Sequence, residues 1–180
     1  MIEMHVAGIA NDPRNNHPIV VLNDEQNRRA LPIWIGIFEA NAILRALDEQ
    51  KPERPMTHDL LLNTITEIGF KVKHIEINEL ASNTYFATIV LHLNDASGQE
   101  VLKLIDARPS DAIALALRAK APIFVAPQVV VEGTVATDHH KDEEEQEEFK
   151  KFLDGLKASD FSLTGQEGSE GDSGPADKQE

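Results

Sequence analysis

Apolar residues along the chain switch repeatedly between a two-residue and a three-to-four-residue spacing, which separates strand-like from helix-like segments. Glu3 to Ala10 alternates weakly and ends at Asn11-Asp12-Pro13, where Asn and Asp tolerate left-handed backbone and proline blocks continuation. His17 to Leu22 is a short β-branched strand, Asn23 to Asn27 a polar turn, and Arg29 to Ile35 the next strand. These three segments predict a meander, with Pro32 at an edge or beside a bulge where a missing donor costs little. From Gly36 the spacing lengthens. Ile37, Ala40, Leu44 and Leu47, with Ile43 alongside, stripe one face of a first helix that Lys51-Pro52-Glu53-Arg54-Pro55 stops. A second helix is expected with Thr57 as N-cap, Met56 as the preceding apolar staple, and Leu61, Leu62, Ile65 and Ile68 as its stripe. Gly69 ends it in left-handed conformation.

Phe70 to Leu80 is strand again, but its phase slips. Phe70 and Val72 share one face while Ile75 and Ile77 share the other, so a bulge is predicted near Lys73-His74. Ala81-Ser82-Asn83 turns the chain into Thr84 to Leu93, and Asn94 to Gly98 turns it into Val101 to Asp106. Two successive hairpin connections make antiparallel pairing the default. A third helix spans Pro109 to Ala119, a short strand Ile123 to Val125, and Val129-Val130-Val131 is a candidate further strand. The fold class is α+β: a mixed, largely antiparallel sheet of short strands with three packed helices, plus a short C-terminal helix and a disordered tail. The domain occupies residues 1–137. An acidic linker with a short amphipathic helix (Phe149, Phe152, Leu153, Leu156) follows over 138–160, and residues 161–180 form a Gly/Ser/acidic tail that cannot bury enough surface to order itself.

Composition narrows the function classes. The chain has no cysteine, which removes disulfides, thiolate metal sites and a cysteine nucleophile. No apolar run approaches the ~20 residues of a membrane span and the start lacks a signal-peptide layout, so a cytoplasmic protein with no membrane partner is expected. The net charge of −14 is unevenly spread: residues 138–180 hold 14 acidic and 5 basic side chains, and residues 1–137 hold 17 and 12. The folded part is thus only mildly acidic, and a local basic pocket is compatible with it, although a protein gripping nucleic acid over its whole surface is not.

Candidate chemistry concentrates at Asp106-Ala107-Arg108-Pro109-Ser110-Asp111, between a strand and an Ala/Leu/Ile helix. Pro109 is pre-set for a first helical turn. Free N–H groups there, together with Arg108, suit a phosphate, and a carboxylate beside it suits activation of water. The alternative is an architectural turn in which Arg108 pairs with Asp106 or Asp111 and Asp111 meets the helix dipole. Asp111 and Arg118, seven apart, share one helix face. Glu39, in the first turn of the first helix, is either a metal-binding carboxylate or a cap reaching back to the Gly36 N–H. His58 is a candidate proton carrier at the start of the second helix. Its neighbour Asp59 is poorly placed to orient it, because adjacent helical side chains diverge. Asp138-His139-His140 is superficially similar to a phosphoesterase metal motif but borders the acidic run and reads as linker. No Gly-rich phosphate loop, zinc helix or nucleophile elbow is present, and no organic cofactor is expected. Trp34 and Tyr85 are the sole tryptophan and tyrosine, too few for an obvious base-stacking platform.

The stretch DARPSDAIALALR (106–118) with PIFV (122–125), LPIWIGIFEANAI (31–43) and RPMTHDLL (54–61) resembles, in order and spacing, the bifunctional nuclease domain family over residues 1 to about 135. The resemblance implies a mixed α/β domain that assembles as an oligomer, and an activity on both DNA and RNA. It supplies no catalytic set, so the site residues are inferred from the matched motifs: catalytic Glu39, His58, Asp106, Arg108 and Asp111, with Glu39 and Asp111 as ligands of a divalent metal such as Mg. The reading is a nuclease hydrolysing phosphodiester bonds in DNA and RNA with low sequence specificity, working as a homodimer, since two-fold dimers are the commonest assembly. The competing class is a non-catalytic oligomeric module that binds a protein partner or a small anionic ligand.

Overall fold

A three-residue strand near the end of the domain joins two antiparallel triplets into one sheet. The computed structural model describes residues 1–94 and 97–136. The first triplet is β1 (Ile2–Asn11), β2 (Pro18–Asp24) and β3 (Arg29–Trp34), and the second is β4 (Lys71–Ala81), β5 (Thr84–Asn94) and β6 (Glu100–Ala107). Strand β7 (Ile123–Val125) lies between them, antiparallel to β1 and parallel to β4. A two-residue β8 (Val135–Ala136) pairs with the start of β3, giving the order β6-β5-β4-β7-β1-β2-β3-β8. The class is α+β, as the periodicity predicts, and the β1–β2–β3 meander forms as expected.

Local chemistry accounts for the register. Ser82 and Asn83 both hold positive φ (49° and 58°), the conformation of the two-residue turn that matches the twist of paired strands. The register of β4 against β5 shifts between Val72 and His74, at the predicted bulge, and again between Ile77 and Glu79. Alternation then buries Ile75, Ile77, Ile89, Leu91, Ile123 and Val125, while Glu76 and Thr88 between them stay half-exposed. Pro32 pairs with Val21 on one side, beyond the short stretch of β3 that β8 covers, so its missing donor faces no partner strand.

Helix α1 (Ile37–Leu47) and helix α2 (Thr57–Glu67) both pack against α3 (Pro109–Ala119), which in turn lies on β4 and β5. Helix α3 buries Ala112, Ile113, Ala114, Leu115 and Ala116 in succession, as a helix covered on nearly every side must. Its alanines let neighbouring helices approach closely. Lys120, in left-handed conformation, ends it.

Three expectations are corrected. Val129-Val130-Val131 is not a strand: Pro127–Gly133 forms a fourth helix, α4, with Pro127 in its first turn, so the described residues form four helices where three were expected. The Val130 N–H donates to the Ala126 carbonyl (3.1 Å) and Thr134 N–H to Val130 (3.2 Å), and Val129 and Val130 bury while Val131 points to solvent. Helical pairing and burial on one side thus override the β preference of a valine run. Thr57 is the first helical residue of α2, with Met56 at the N-cap position. The cap hydrogen bond runs from the Met56 N–H to Asp59 Oδ2 (2.9 Å), because a carboxylate at the third helical position reaches back to it. The expected linker helix, the Asp138-His139-His140 motif and the tail lie outside the described residues.

Candidate functional site

The first turns of three helices meet around one ion-paired cluster, two at the Arg108 guanidinium and the third through Asp111. Gly36, Met56 and Arg108 are the N-cap residues of α1, α2 and α3, and the third helical position carries Glu39, Asp59 and Asp111 respectively. Acidic side chains are favoured there by the helix dipoles. Arg108 donates from Nε to Asp111 Oδ2 (2.7 Å) and from Nη2 to Asp111 Oδ1 (3.1 Å), a bidentate grip. Its Nη1 reaches across to Glu39 Oε1 (3.0 Å). His58, at the second position of α2, places Nε2 3.3 Å from Asp111 Oδ1.

Four of the five residues singled out from sequence are therefore neighbours: Glu39, His58, Arg108 and Asp111. The fifth, Asp106, stays on exposed β6 opposite Thr88 and hydrogen-bonds to none of them. Glu39 is not the cap of α1, since its carboxylate makes no cap hydrogen bond and turns toward Arg108 instead. Its other oxygen folds over Gly36, where a Cβ would collide with it, so a residue without a side chain is what leaves room for the bridge.

Electrostatics sort these groups. Burial pushes the Asp111 carboxyl up, but the hydrogen bonds from Arg108 and His58 and the Arg108 charge outweigh it, leaving it below the usual carboxylate range. Asp111 is thus a carboxylate at neutral pH. An ionised carboxylate only accepts, so the imidazole presents its Nε2–H to Asp111, and in the neutral form of the ring Nδ1 is then the nitrogen that carries the lone pair. Arg108 is held above its ordinary value by the hydrogen bond and charge of Asp111, and by Glu39. Its side chain is 65% exposed, and three of its five N–H groups are used, leaving one on each terminal nitrogen for a ligand.

The sequence does not reveal what braces this cluster. Arg118 pairs with Asp59, not with Asp111: Nε donates to Asp59 Oδ1 (2.6 Å), and Nη1 to the carbonyls of Ala42 (3.1 Å) and Ala114 (2.8 Å). Only 11% of its side chain is exposed, and it ties all three helices together beneath the site. For Asp59, burial raises the carboxyl while the Met56 N–H and Arg118 lower it, and the lowering prevails.

Two grooves flank the Arg108–Glu39 bridge. One, of about 500 Å³, is bordered by Phe38, Met56, His58 and Asp111. The other, of about 510 Å³, is bordered by Trp34, Tyr85, Asn83 and Ser110. Arg108 and Glu39 line both. As metal ligands, Glu39 and Asp111 do not fit this arrangement. The guanidinium stands between them and occupies both Asp111 oxygens and one of Glu39, and among the described residues no group of three His, Asp or Glu side chains is placed to hold a metal ion.

The family model for the bifunctional nuclease domain matches residues 20–138, which include all four clustered residues. The chain belongs to the bifunctional nuclease domain family. Among its relatives, an uncharacterized protein of Mycobacterium tuberculosis is 37% identical over 174 residues, covering 91% of this chain and all of the relative. Bifunctional nuclease 1 of Oryza sativa subsp. indica is 28% identical over 114 residues, 63% of this chain and 34% of the plant protein. Bifunctional nuclease 1 of Arabidopsis thaliana is 28% identical over 110 residues, 61% and 33%. The shared bifunctional nuclease domain is thus about a third of each plant protein. No described helix is long and apolar enough to cross a membrane.

Proposed function

We propose that this chain is a nuclease that hydrolyses phosphodiester bonds in both DNA and RNA with low sequence specificity, using the Glu39–Arg108–Asp111–His58 cluster. The observation that carries this reading is the His58–Asp111–Arg108 chain of hydrogen bonds at the convergence of three helix N-termini, in a domain of the bifunctional nuclease family. DNA lacks a 2′-hydroxyl, so an enzyme acting on both polymers cannot rely on the sugar as nucleophile, and in this mechanism water attacks. The two free N–H groups of Arg108 hold a non-bridging phosphate oxygen. His58 Nδ1 takes a proton from water, whose oxygen attacks phosphorus, and the P–O bond to the leaving oxygen breaks, that oxygen taking a proton from solvent. With both carboxylates ionised, proton uptake by His58 carries the formal charge of the cluster from −1 to zero as negative charge builds on the phosphoryl oxygens. Asp111 orients the ring and stabilises the imidazolium. Glu39 is a positioning residue that fixes the plane of the guanidinium.

No step is routed through a metal, and chelation is therefore expected to leave cleavage in place. The test is an in-gel assay on DNA and RNA with protein purified free of host nuclease, comparing the wild type with His58→Gln. Loss of both activities in a folded variant supports the reading. Binding without cleavage by the wild type would favour the non-catalytic ligand-binding module instead.

A further inference from the structure

Trp34 is over half exposed (55%) although it is the sole tryptophan of the chain, and its ring is not free to swing. The indole Nε1 donates to Asp12 Oδ2 (3.1 Å), while the other oxygen of Asp12 accepts the Arg14 N–H (2.9 Å). Those same two bonds, the Arg14 N–H first, hold the Asp12 carboxyl below its ordinary range and so keep it a firm acceptor. The sole tyrosine, Tyr85, borders the same groove, sunk far enough for burial to raise its hydroxyl. The rest of the groove mixes polar groups, among them His17, Asn83 and Ser110, with apolar Ile33, Ile35 and Pro109, and the Arg108–Glu39 bridge lines it too. Across the Arg108–Glu39 bridge, the other groove has Phe38 at its rim, 83% exposed. A phosphate held by Arg108 would therefore have an exposed aromatic ring on each side of it.

A planar apolar face, polar edge groups and a cation at one end match a nucleotide: ring to base, polar groups to base edge or sugar, guanidinium to phosphate. We infer that the Trp34–Tyr85 groove is a nucleobase subsite, in which a base splayed out of a single strand stacks on Trp34 beside the phosphate held by Arg108. This rests on the nuclease reading for its substrate class and goes beyond it by making unstacked single strands the preferred form. A base inside a duplex has both faces covered and cannot enter. A nucleotide supplies both a planar ring for Trp34 and a phosphate for the two remaining Arg108 N–H groups, which makes nucleic acid a better occupant than a second copy of this acidic chain.

The test uses the lone tryptophan as its own reporter. Full-length protein is titrated with a fluorescein-labelled phosphorothioate dT octamer, with an octamer of abasic residues, and with a phosphorothioate hairpin duplex, following anisotropy and tryptophan emission in parallel. The expected result is quenched emission at saturation with dT and a Kd roughly 10-fold tighter than for the abasic strand, the order expected of one aromatic–base stack. Trp34→Ala should erase that difference and leave abasic binding where it was, and Trp34→Phe should keep part of it. Saturation without quenching, equal weakening of dT and abasic strands, duplex preferred over dT, or no binding at all overturns the inference. So does a Trp34→Ala variant that binds dT normally but drops from dimer to monomer in light scattering, which would assign the ring to a second copy. Quenching by dT with no cleavage of unmodified DNA or RNA removes the hydrolytic reading and leaves the base subsite standing; cleavage without quenching removes the subsite alone.

Discussion

Asp111→Asn separates catalysis from architecture at the centre of the site. The substitution keeps shape and removes charge. In stability terms little is lost: the partner Arg108 is 65% exposed, so the pair is worth under ~1 kcal/mol, and the favourable placement at the start of α3 adds a few tenths. The total is at most about 1.5 kcal/mol, which lowers the melting midpoint by at most ~6 °C at ~2–4 °C per kcal/mol. Catalysis should suffer far more. A neutral amide neither fixes the His58 tautomer nor stabilises the imidazolium, and general-base contributions are ~10²–10⁴-fold. Arg118→Met is the contrasting change: it strips a mostly buried ion pair and two carbonyl contacts, costing ~3 kcal/mol or more and a midpoint drop of ~6–12 °C. Thermal melts and initial cleavage rates on the two variants decide the matter. An Asp111→Asn protein that melts like Arg118→Met, or that is folded and cleaves at the wild-type rate, refutes this division of labour.

Acid should loosen the helix junction in a predictable direction. Asp59 and Asp111 both titrate below their ordinary range in the fold, so the stability they contribute is complete above the unfolded value of ~4 and is lost as pH falls through the lower folded values; Asp59→Asn should flatten the acid limb of a midpoint-versus-pH curve, and an unchanged slope would show that the Asp59 pair does not contribute. Gly36→Ala should leave the fold intact, because Gly36 has an ordinary φ of −80°, but push the Glu39 carboxylate off Arg108; a rate matching the wild type would show that the bridge has no positioning role. Homodimerisation is expected through the open edge of β6, where Leu102 and Leu104 are exposed, with a Leu104→Lys variant shifting the mass toward monomer; a monomeric wild type at micromolar concentration in light scattering removes that proposal.

Periodicity made most of the fold legible because most of it is local. The meander, the two central hairpins and three helices follow from spacing and turn residues, and the slip of phase after Val72 marks a real bulge. What failed was where tertiary context outvotes local preference. The valine run of α4 reads as strand, β8 is too short to signal itself, and nothing in PIFV tells that Ile123–Val125 runs parallel to β4 and joins two triplets. The site divides the same way. Arg108 and Asp111 are three residues apart, and their pairing was one of the readings their spacing allows. Glu39 is 69 positions from Arg108 and His58 is 53 from Asp111, so their convergence depends on how α1 and α2 flank α3. Asp59 with Arg118, and Trp34 with Tyr85, carried no joint signal for that reason. Counting aromatics argued against base stacking, whereas placement puts the two scarcest rings on one groove.

The central claim is that one site, built on Arg108, cuts both polymers. It is tested most directly by initial rates on single-stranded DNA and on RNA of the same sequence, measured for wild type and Arg108→Met from identical preparations free of host nuclease. The account predicts that the wild type cleaves both, and that the folded variant loses both rates by the same factor, ~10²-fold or more, as expected when a preorganised donor to the reacting phosphate is removed. A folded Arg108→Met protein that still cleaves either polymer at the wild-type rate would contradict it.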